Sequence, residues 1–406
     1  MGLIVKKFGG SSVSSMEQIK NIATRVKQKR ENGNQVVVVV SAMGDTTDEL
    51  IQLASFVGSD LSSREMDMLL ATGEQQSASL LALTLQSMDC SAVSLTGWQA
   101  GIQSDSSYSR ARITDITTSR ILKELNNDKV VVIAGFQGIS PEDDITTLGR
   151  GGSDTTAVAL AASLNADECI IFTDVEGIYT ADPRIVKNAS KLKSICYEEM
   201  LEMSSLGAVV LQPRAVEFAM LYNVDVKVQS SFNNNSGTVL TEVSKMEKQR
   251  VVSGVAHDIN CAKVALYDVA DRPGIARDLF TTLANNGINV DMVVQSANRE
   301  DRNDIAFTIE SDELERALPV VNILVNELGA SGMSYGDKVA KVSIVGAGMQ
   351  SNPGIAAAMF EALAEENINI HMISTSEIKV SCIIDEEVIE KAVNALHNKF
   401  ELDNIK

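Results

Sequence analysis

Short runs of β-branched residues alternate with longer segments of helical period over the first 240 residues. The strand-like runs are Leu3–Val5, Gln35–Ser41, Ala92–Thr96, Lys129–Ala134, Glu168–Thr173 and Val224–Val228. Between them the pattern predicts helices over Ser15–Asn32, Thr46–Val57, Glu65–Gln86, Thr114–Asn126, Ser153–Leu164, Tyr197–Met203 and Pro213–Tyr222. Val36-Val37-Val38-Val39-Val40 leaves no polar face, so that strand needs apolar cover on both sides. The prediction is a three-layer α/β domain over residues 1–241, with a parallel sheet sandwiched between helices. In such sheets ligands gather at the carboxyl ends of the strands. Polar or glycine-rich turns follow several of them: Lys7-Phe8-Gly9-Gly10-Ser11-Ser12, Ser41-Ala42-Met43-Gly44, Gly135-Phe136-Gln137-Gly138 and Thr173-Asp174-Val175-Glu176-Gly177. Each alone reads as a turn; together they are expected to converge on one edge.

Past Thr241 a charged connector, residues 242–250, leads into a different pattern. Laying Pro273-Gly274-Ile275-Ala276 on Pro353-Gly354-Ile355-Ala356 without gaps makes eleven of twenty-four residues identical between 273–296 and 353–376, which marks an internal repeat. Each copy reads strand, Pro-Gly turn, helix, Ile-Asn, strand, strand, helix, a ferredoxin-like α+β unit. The first can finish with a strand near Ser331–Val339, whereas the second reaches Phe400 with none left. The unclaimed strand Val251–His257 is therefore expected to complete the second copy. That puts the first copy at 263–339, inserted in a second made of 251–262 plus 340–406.

Asp and Glu outnumber Lys and Arg by 54 to 35, a net charge of −19. This disfavours nucleic acid and anionic membranes as partners, since phosphate binding relies on excess cations. An anionic ligand must then meet locally gathered positive groups. The five cysteines (Cys90, Cys169, Cys196, Cys261, Cys382) stand far apart with no CxxC pair, so reduced, buried thiols are expected. His257, His371 and His397 are scattered, which speaks against a histidine metal site or a hydrolase triad. With no secretory leader and no apolar run near the roughly 20 residues of a membrane span, a cytoplasmic protein is expected.

Gly149-Arg150-Gly151-Gly152-Ser153-Asp154-Thr155-Thr156 places three glycines, a guanidinium, hydroxyls and a carboxylate just ahead of a small-residue helix. Backbone N–H groups and a positive dipole end would face an anion there. It is neither a P-loop nor the dinucleotide fingerprint. Lys7 stands where the first strand meets a glycine pair, so its ammonium can reach a phosphate cradled by those amides. Arg150 is a fork suited to a carboxylate. Asp154 could orient a lysine or a magnesium-bound phosphate, or simply complement the helix dipole. Glu74, after Gly73 in an apolar helical stretch, wants a cation such as a substrate ammonium, unless it lies on the helix surface. Thr173-Asp174 with Tyr179, Asp182 and Arg184 reads as a nucleotide loop. Val345-Gly346-Ala347-Gly348 looks like a dinucleotide turn, but Ser351 replaces its third glycine and the segment belongs to the repeat.

As a set, Lys7-Phe8-Gly9-Gly10, Ser41-Ala42, Gly73-Glu74, the Gly149–Thr155 loop, Thr173-Asp174 through Asp182-Pro183-Arg184, and both Pro-Gly-Ile repeats closely resemble the aspartokinases. These belong to the amino-acid kinase superfamily and carry a C-terminal pair of ACT domains. The resemblance spans essentially the whole chain. It implies a three-layer amino-acid kinase domain followed by two ferredoxin-like ACT domains. It also implies transfer of the γ-phosphoryl of Mg-ATP to the β-carboxylate of L-aspartate, the entry to lysine, threonine and methionine, with Mg²⁺ arriving with the nucleotide and no resident metal. By the same resemblance Lys7, Phe8, Gly9, Gly10, Thr173, Asp174, Tyr179, Asp182 and Arg184 would hold ATP. Ser41, Thr47, Glu74, Arg150 and Ser153 would hold aspartate, and Lys7 and Asp154 would be catalytic. Lysine, threonine or both would act as effectors on two ACT sites. One comprises Asp271, Gly274, Ile275, Ala276, Asn289, Asp291 and Gln295; the other comprises Asn352, Ile355, Ala356, Asn369 and Ile370.

The chain departs from many members at Val209, where Lys or Gly is usual, and at Gln212, where His is usual. Phosphate charge would then rest on Lys7 and Arg184. A homo-oligomer is expected, and whether a shorter ACT-only subunit accompanies it stays open. Sibling kinases of N-acetylglutamate, glutamate or UMP fit the first domain but not Gly73-Glu74 with the repeat. A non-catalytic amino-acid sensor is disfavoured by the intact Lys7, Arg150 and Asp154, and a homoserine dehydrogenase fusion by length.

Overall fold

A computed structural model describes residues 2–58, 61–207, 210–242, 251–297 and 300–403. The linker expected at 242–250 falls almost wholly outside them, as does Val209. Among the described residues no helix is long and apolar enough to cross a membrane. Contacts divide the chain into two units, one of Met1–Ile178, Lys191–Ser205 and Val209–Glu247, the other of Tyr179–Ser190, Leu206–Ala208 and Lys248–Lys406.

In the first unit the strands are β1 (Leu3–Phe8), β2 (Gln35–Val40), β3 (Ala92–Leu95), β4 (Ile102–Ser104), β5 (Ile113–Ile116), β6 (Val130–Ala134), β7 (Gln137–Ile139), β8 (Ile145–Thr147), β9 (Glu168–Thr173), β10 (Ser194–Cys196), β11 (Val226–Ser230) and β12 (Thr238–Thr241). The helices are α1 (Met16–Glu31), α2 (Thr46–Ser55), α3 (Ser63–Ser87), α4 (Ser119–Asn126), α5 (Gly152–Ser163), α6 (Tyr197–Ser205) and α7 (Pro213–Tyr222). Eight strands form one sheet in the order β10-β12-β11-β9-β1-β2-β6-β3. Alternate residues Val36, Val38 and Val40 join Ile19, Ile22 and Val26 of α1 and Leu81 and Leu85 of α3 in one core. Small residues make α5 buried along nearly its whole length, Gly152 to Ala161. Enclosure of both faces is what the unbroken valine run demanded.

Three expectations are corrected. The helix expected over Thr114–Asn126 begins only at Ser119, because Ile113–Ile116 pairs antiparallel with β4 in a second sheet of order β5-β4-β7-β8. The main sheet is not wholly parallel, since β12 runs antiparallel to β11. The strand expected from Val224 starts at Val226, after Asn223 caps α7 in the left-handed region at φ 50°.

In the second unit the strands are β13 (Gly254–Ala270), β14 (Val293–Gln295), β15 (Arg302–Ile309), β16 (Gly332–Val345), β17 (Met372–Thr375) and β18 (Lys379–Asp385). The helices are α8 (Ile275–Asn285), α9 (Leu314–Glu327), α10 (Ile355–Glu365) and α11 (Ile389–Lys399). The strands make one sheet, β14-β15-β13-β16-β18-β17. Gly254–Asp258 pairs with Lys341–Val345, within the second copy, and the same strand continues into Ala262–Ala270, which pairs with β15 of the first. β16 likewise runs through from one copy into the other, so the two repeats share a pair of long strands. Leu279, Leu283, Val321 and Leu324 centre the first copy's core; Met359, Leu363, Val393 and Leu396 centre the second's.

Candidate active site

β1 lies between β2 and β9, where the connections leave the sheet in opposite directions. Lys7 sits at its carboxyl end, paired in register with Val39 and Ile171. Its side chain is nearly enclosed, and its Nζ lies 2.5 Å from Oδ1 of Asp154 in the first turn of α5. The chain reaches that turn through Gly149 and Gly151, both left-handed at φ 75° and 70°, a conformation that glycine adopts without a Cβ penalty. Any Cβ on Gly151 would overlap the Gln212 side chain, so the residue at the departure position packs directly on this loop.

The phosphate-cradle candidate after β1 is equally close-packed. A Cβ on Gly9 would stand 3.5 Å from Lys7 Nζ, and one on Gly10 would stand 3.0 Å from the Ala42 carbonyl. The Gly44 N–H donates to Gly10 O at 3.1 Å, locking the turns that follow β1 and β2 together. Phe8 is buried in the core, its ring stacked on Phe172 at 4.7 Å, so only its main chain can serve a ligand. Thr173 Oγ1 donates to Asp174 Oδ1 at 2.9 Å at the end of β9.

Gly73 explains how Glu74 reaches the same edge. A Cβ there would meet Ala42 Cβ at 2.8 Å, so glycine lets α3 approach the turn after β2. Glu74 Oε1 then accepts the Ala42 N–H at 3.1 Å, while Oε2 is buried without a partner. Burial pushes this carboxyl up to about 7, against the opposing pull of the Ala42 N–H and the nearby Lys7 charge. A buried acceptor with one open oxygen suits a ligand ammonium. Ser153 is buried beside Gly135, Ser41 and Thr47 are half-buried on the neighbouring turn and first turn of α2, and Arg150 is exposed.

Tyr179, Asp182 and Arg184 follow β9 in the chain. They lie in Tyr179–Ser190, which clusters with the second unit, where Ala181 and Val186 enter the core of the second repeat. Arg184 is largely exposed and forks onto Asp182, with Nη2 2.7 Å from Oδ2, and holds that carboxyl below its ordinary range. Sequence reading also missed Ser231, whose N–H donates to Thr173 O at 2.9 Å and whose hydroxyl meets Ser12 Oγ at 2.5 Å. Its signal was available: Ser230-Ser231 ends a strand, as Ser41 does.

In the second unit both Pro-Gly turns open helices with a left-handed glycine, Gly274 at φ 100° ahead of Ile275 and Ala276, and Gly354 at φ 96° ahead of Ile355 and Ala356. The Asp271 N–H donates to Asp301 O, the Asn289 N–H to Glu313 Oε2, and Asn352 Nδ2 to Gly348 O. Asp291 is ion-paired with the buried Lys341 at 2.5 Å. Gln295 lies on β14 and is exposed, as is Asn369, while Ile370 packs partly on the second core.

The model of the amino acid kinase family matches residues 2–230, and that of an ACT domain matches 268–322 and 342–400. An aspartokinase of Bacillus sp. strain MGA3 is 53% identical over 402 residues, covering 99% of this chain and 98% of its own. The crystal structure of E. coli aspartokinase III in complex with aspartate and ADP, its R-state, superposes with a TM-score of 0.82 at 25% identity, over 98% of this chain and 100% of that one. The same enzyme in complex with lysine and aspartate, its T-state, gives 0.77 at 26% identity, over 98% and 99%.

Proposed function

The chain belongs to the aspartokinase family, and from that premise we propose that it transfers the γ-phosphoryl group of Mg-ATP to the β-carboxylate of L-aspartate, giving 4-phospho-L-aspartate and ADP. The observation that carries the reading is the meeting of the Lys7 ammonium with Asp154 beside the glycine turns at one sheet edge. An aspartate side chain, with a reference pKa of ~3.9, is already ionised at neutral pH, so the nucleophile needs no general base. The obstacle is repulsion between a carboxylate and a triphosphate. Positioning and charge neutralisation remove it: Asp154 aims Lys7, Lys7 and the Phe8-Gly9-Gly10 turn meet the phosphates, and Mg²⁺ on the nucleotide shares the charge. Thr173 and Asp174 border the nucleotide at the end of β9. Glu74 receives the aspartate ammonium, Arg150 takes a carboxylate as a fork, and Ser41, Thr47 and Ser153 complete the cradle.

Lysine, threonine or both regulate through the repeats. The E. coli relative binds lysine together with aspartate, and this chain repeats the Pro-Gly helix openings of a paired ACT unit. Inhibition is expected at millimolar effector, with a coupling of about 1–3 kcal/mol. An ATP-consumption assay with aspartate, glutamate, N-acetylglutamate and UMP as acceptors, with and without the two amino acids, tests both parts. Turnover confined to aspartate and lowered by an effector is predicted. Preference for another acceptor sinks the substrate reading; indifference to both amino acids sinks the regulatory one.

A further inference from the structure

Asp67 is a buried carboxylate that phosphoryl transfer does not use. It lies in the second turn of α3, fully enclosed. Its oxygens accept from the Ser109 N–H at 3.0 and 2.9 Å, from the Thr147 N–H at 2.8 Å and from Thr147 Oγ1 at 2.7 Å. Arg214, in the first turn of α7, holds the same two segments from another helix: its Nη1 donates to Leu148 O and its Nη2 to Ala111 O, both at 2.6 Å. The segments are also joined directly, by the Ala111 N–H on Thr147 O at 2.9 Å.

The strand end held this way runs straight into Gly149-Arg150-Gly151. Gly149 is pressed against the clasped segment, with Ser109 O 3.0 Å from where its Cβ would stand. Asp67 and Glu74 stand two turns apart on one face of α3, about 10 Å along its axis. One helix therefore carries the buried acceptor for an ammonium and, through charge-assisted hydrogen bonds, pins the loop that carries the guanidinium.

We infer that Asp67 and Arg214 are positioning residues that set the separation between Glu74 and Arg150, and with it the length of amino dicarboxylate that the site accepts. This rests on the reading that Glu74 and Arg150 hold the two ends of aspartate. Asp67→Asn keeps the shape but turns an amide N–H₂ toward N–H donors. Arg214→Lys keeps the charge but can reach only one of the two carbonyls.

Steady-state kinetics of Asp67→Asn, Arg214→Lys and Arg150→Ala in the full-length enzyme decide it, with aspartate, glutamate and ATP each varied. Both positioning variants are expected to raise KM for aspartate about tenfold, to leave KM for ATP within about twofold, and to narrow the aspartate-to-glutamate ratio of kcat/KM at least about threefold. A brace with only a structural role would lower melting temperature and move both substrates together, and that result overturns the inference. An unchanged aspartate KM in folded Arg214→Lys overturns it as well, even if Asp67→Asn fails to fold. Arg150→Ala separates the two levels: an unchanged aspartate KM there sinks the underlying reading, whereas a raised one beside silent positioning variants sinks only the inference.

Discussion

Lys7→Ala is expected to lower kcat at least ~100-fold, about 2.7 kcal/mol of transition-state stabilisation, the scale of deleting one preorganised donor. The side chain is the cation that the turns after β1 and before α5 converge on, 2.5 Å from Asp154. Its removal also leaves the Asp154 carboxylate buried and unpaired, which in comparable pairs costs about 3–5 kcal/mol of stability. The two effects come apart in a double variant. Lys7→Ala with Asp154→Asn removes the orphaned charge, so urea unfolding should recover most of the lost stability while turnover stays low. Wild-type-like kcat in a folded Lys7→Ala enzyme would contradict the role. So would recovery of activity in the double variant, since that would make Lys7 a structural counter-ion.

Glu74→Gln should make the substrate-free protein more stable at pH 8 and a much poorer enzyme. Burial raises this carboxyl from its reference of 4.5 to about 7. Between those values the native state holds a proton that the unfolded chain has released, so stability falls as pH rises through this window. Above pH 7 the full penalty applies, of order 3 kcal/mol from that shift. Glutamine imitates the protonated form and escapes it. On the proposed role the same substitution removes the anion that would meet the substrate ammonium, so KM for aspartate should rise at least ~30-fold while KM for ATP changes little. In the wild-type enzyme KM for aspartate should climb about tenfold per pH unit below 7, as Glu74 takes up its proton. Melting curves and initial rates across pH 5.5–8.5 check both signs. A glutamine variant that is less stable at pH 8, or that keeps its aspartate affinity, would show that Glu74 serves the fold instead.

The parts of this molecule that were legible in sequence are those whose local chemistry and tertiary fate agree. The valine run of β2 is buried on both faces, so composition alone announces it, and the turns after β1 and β2 stand out as polar, glycine-bearing breaks behind apolar runs. The small β5-β4-β7-β8 sheet was not legible, because Ile113–Ile116 is short and half exposed and its pairing comes from β4, not from its own period. That Tyr179–Ser190 clusters with the second unit was not legible either: it follows β9 directly, yet Ala181 and Val186 bury themselves in the second repeat's core. The repeat boundary expected at 262/263 and 339/340 falls inside continuous strands, since antiparallel pairing through β13 and β16 carries both copies. Asp67 and Glu74 offered the same signal, a carboxylate in an apolar helical stretch. Only the glycine before Glu74 drew notice to one of them, and the donors that satisfy Asp67 come from segments 42 and 80 residues away.

The most direct measurement traps the product. Purified protein with Mg-ATP, L-aspartate and hydroxylamine should form aspartate β-hydroxamate in step with ADP, and form none when aspartate or ATP is left out. ADP released without hydroxamate, or hydroxamate formed on the α-carboxyl, would contradict phosphoryl transfer to the side-chain carboxylate.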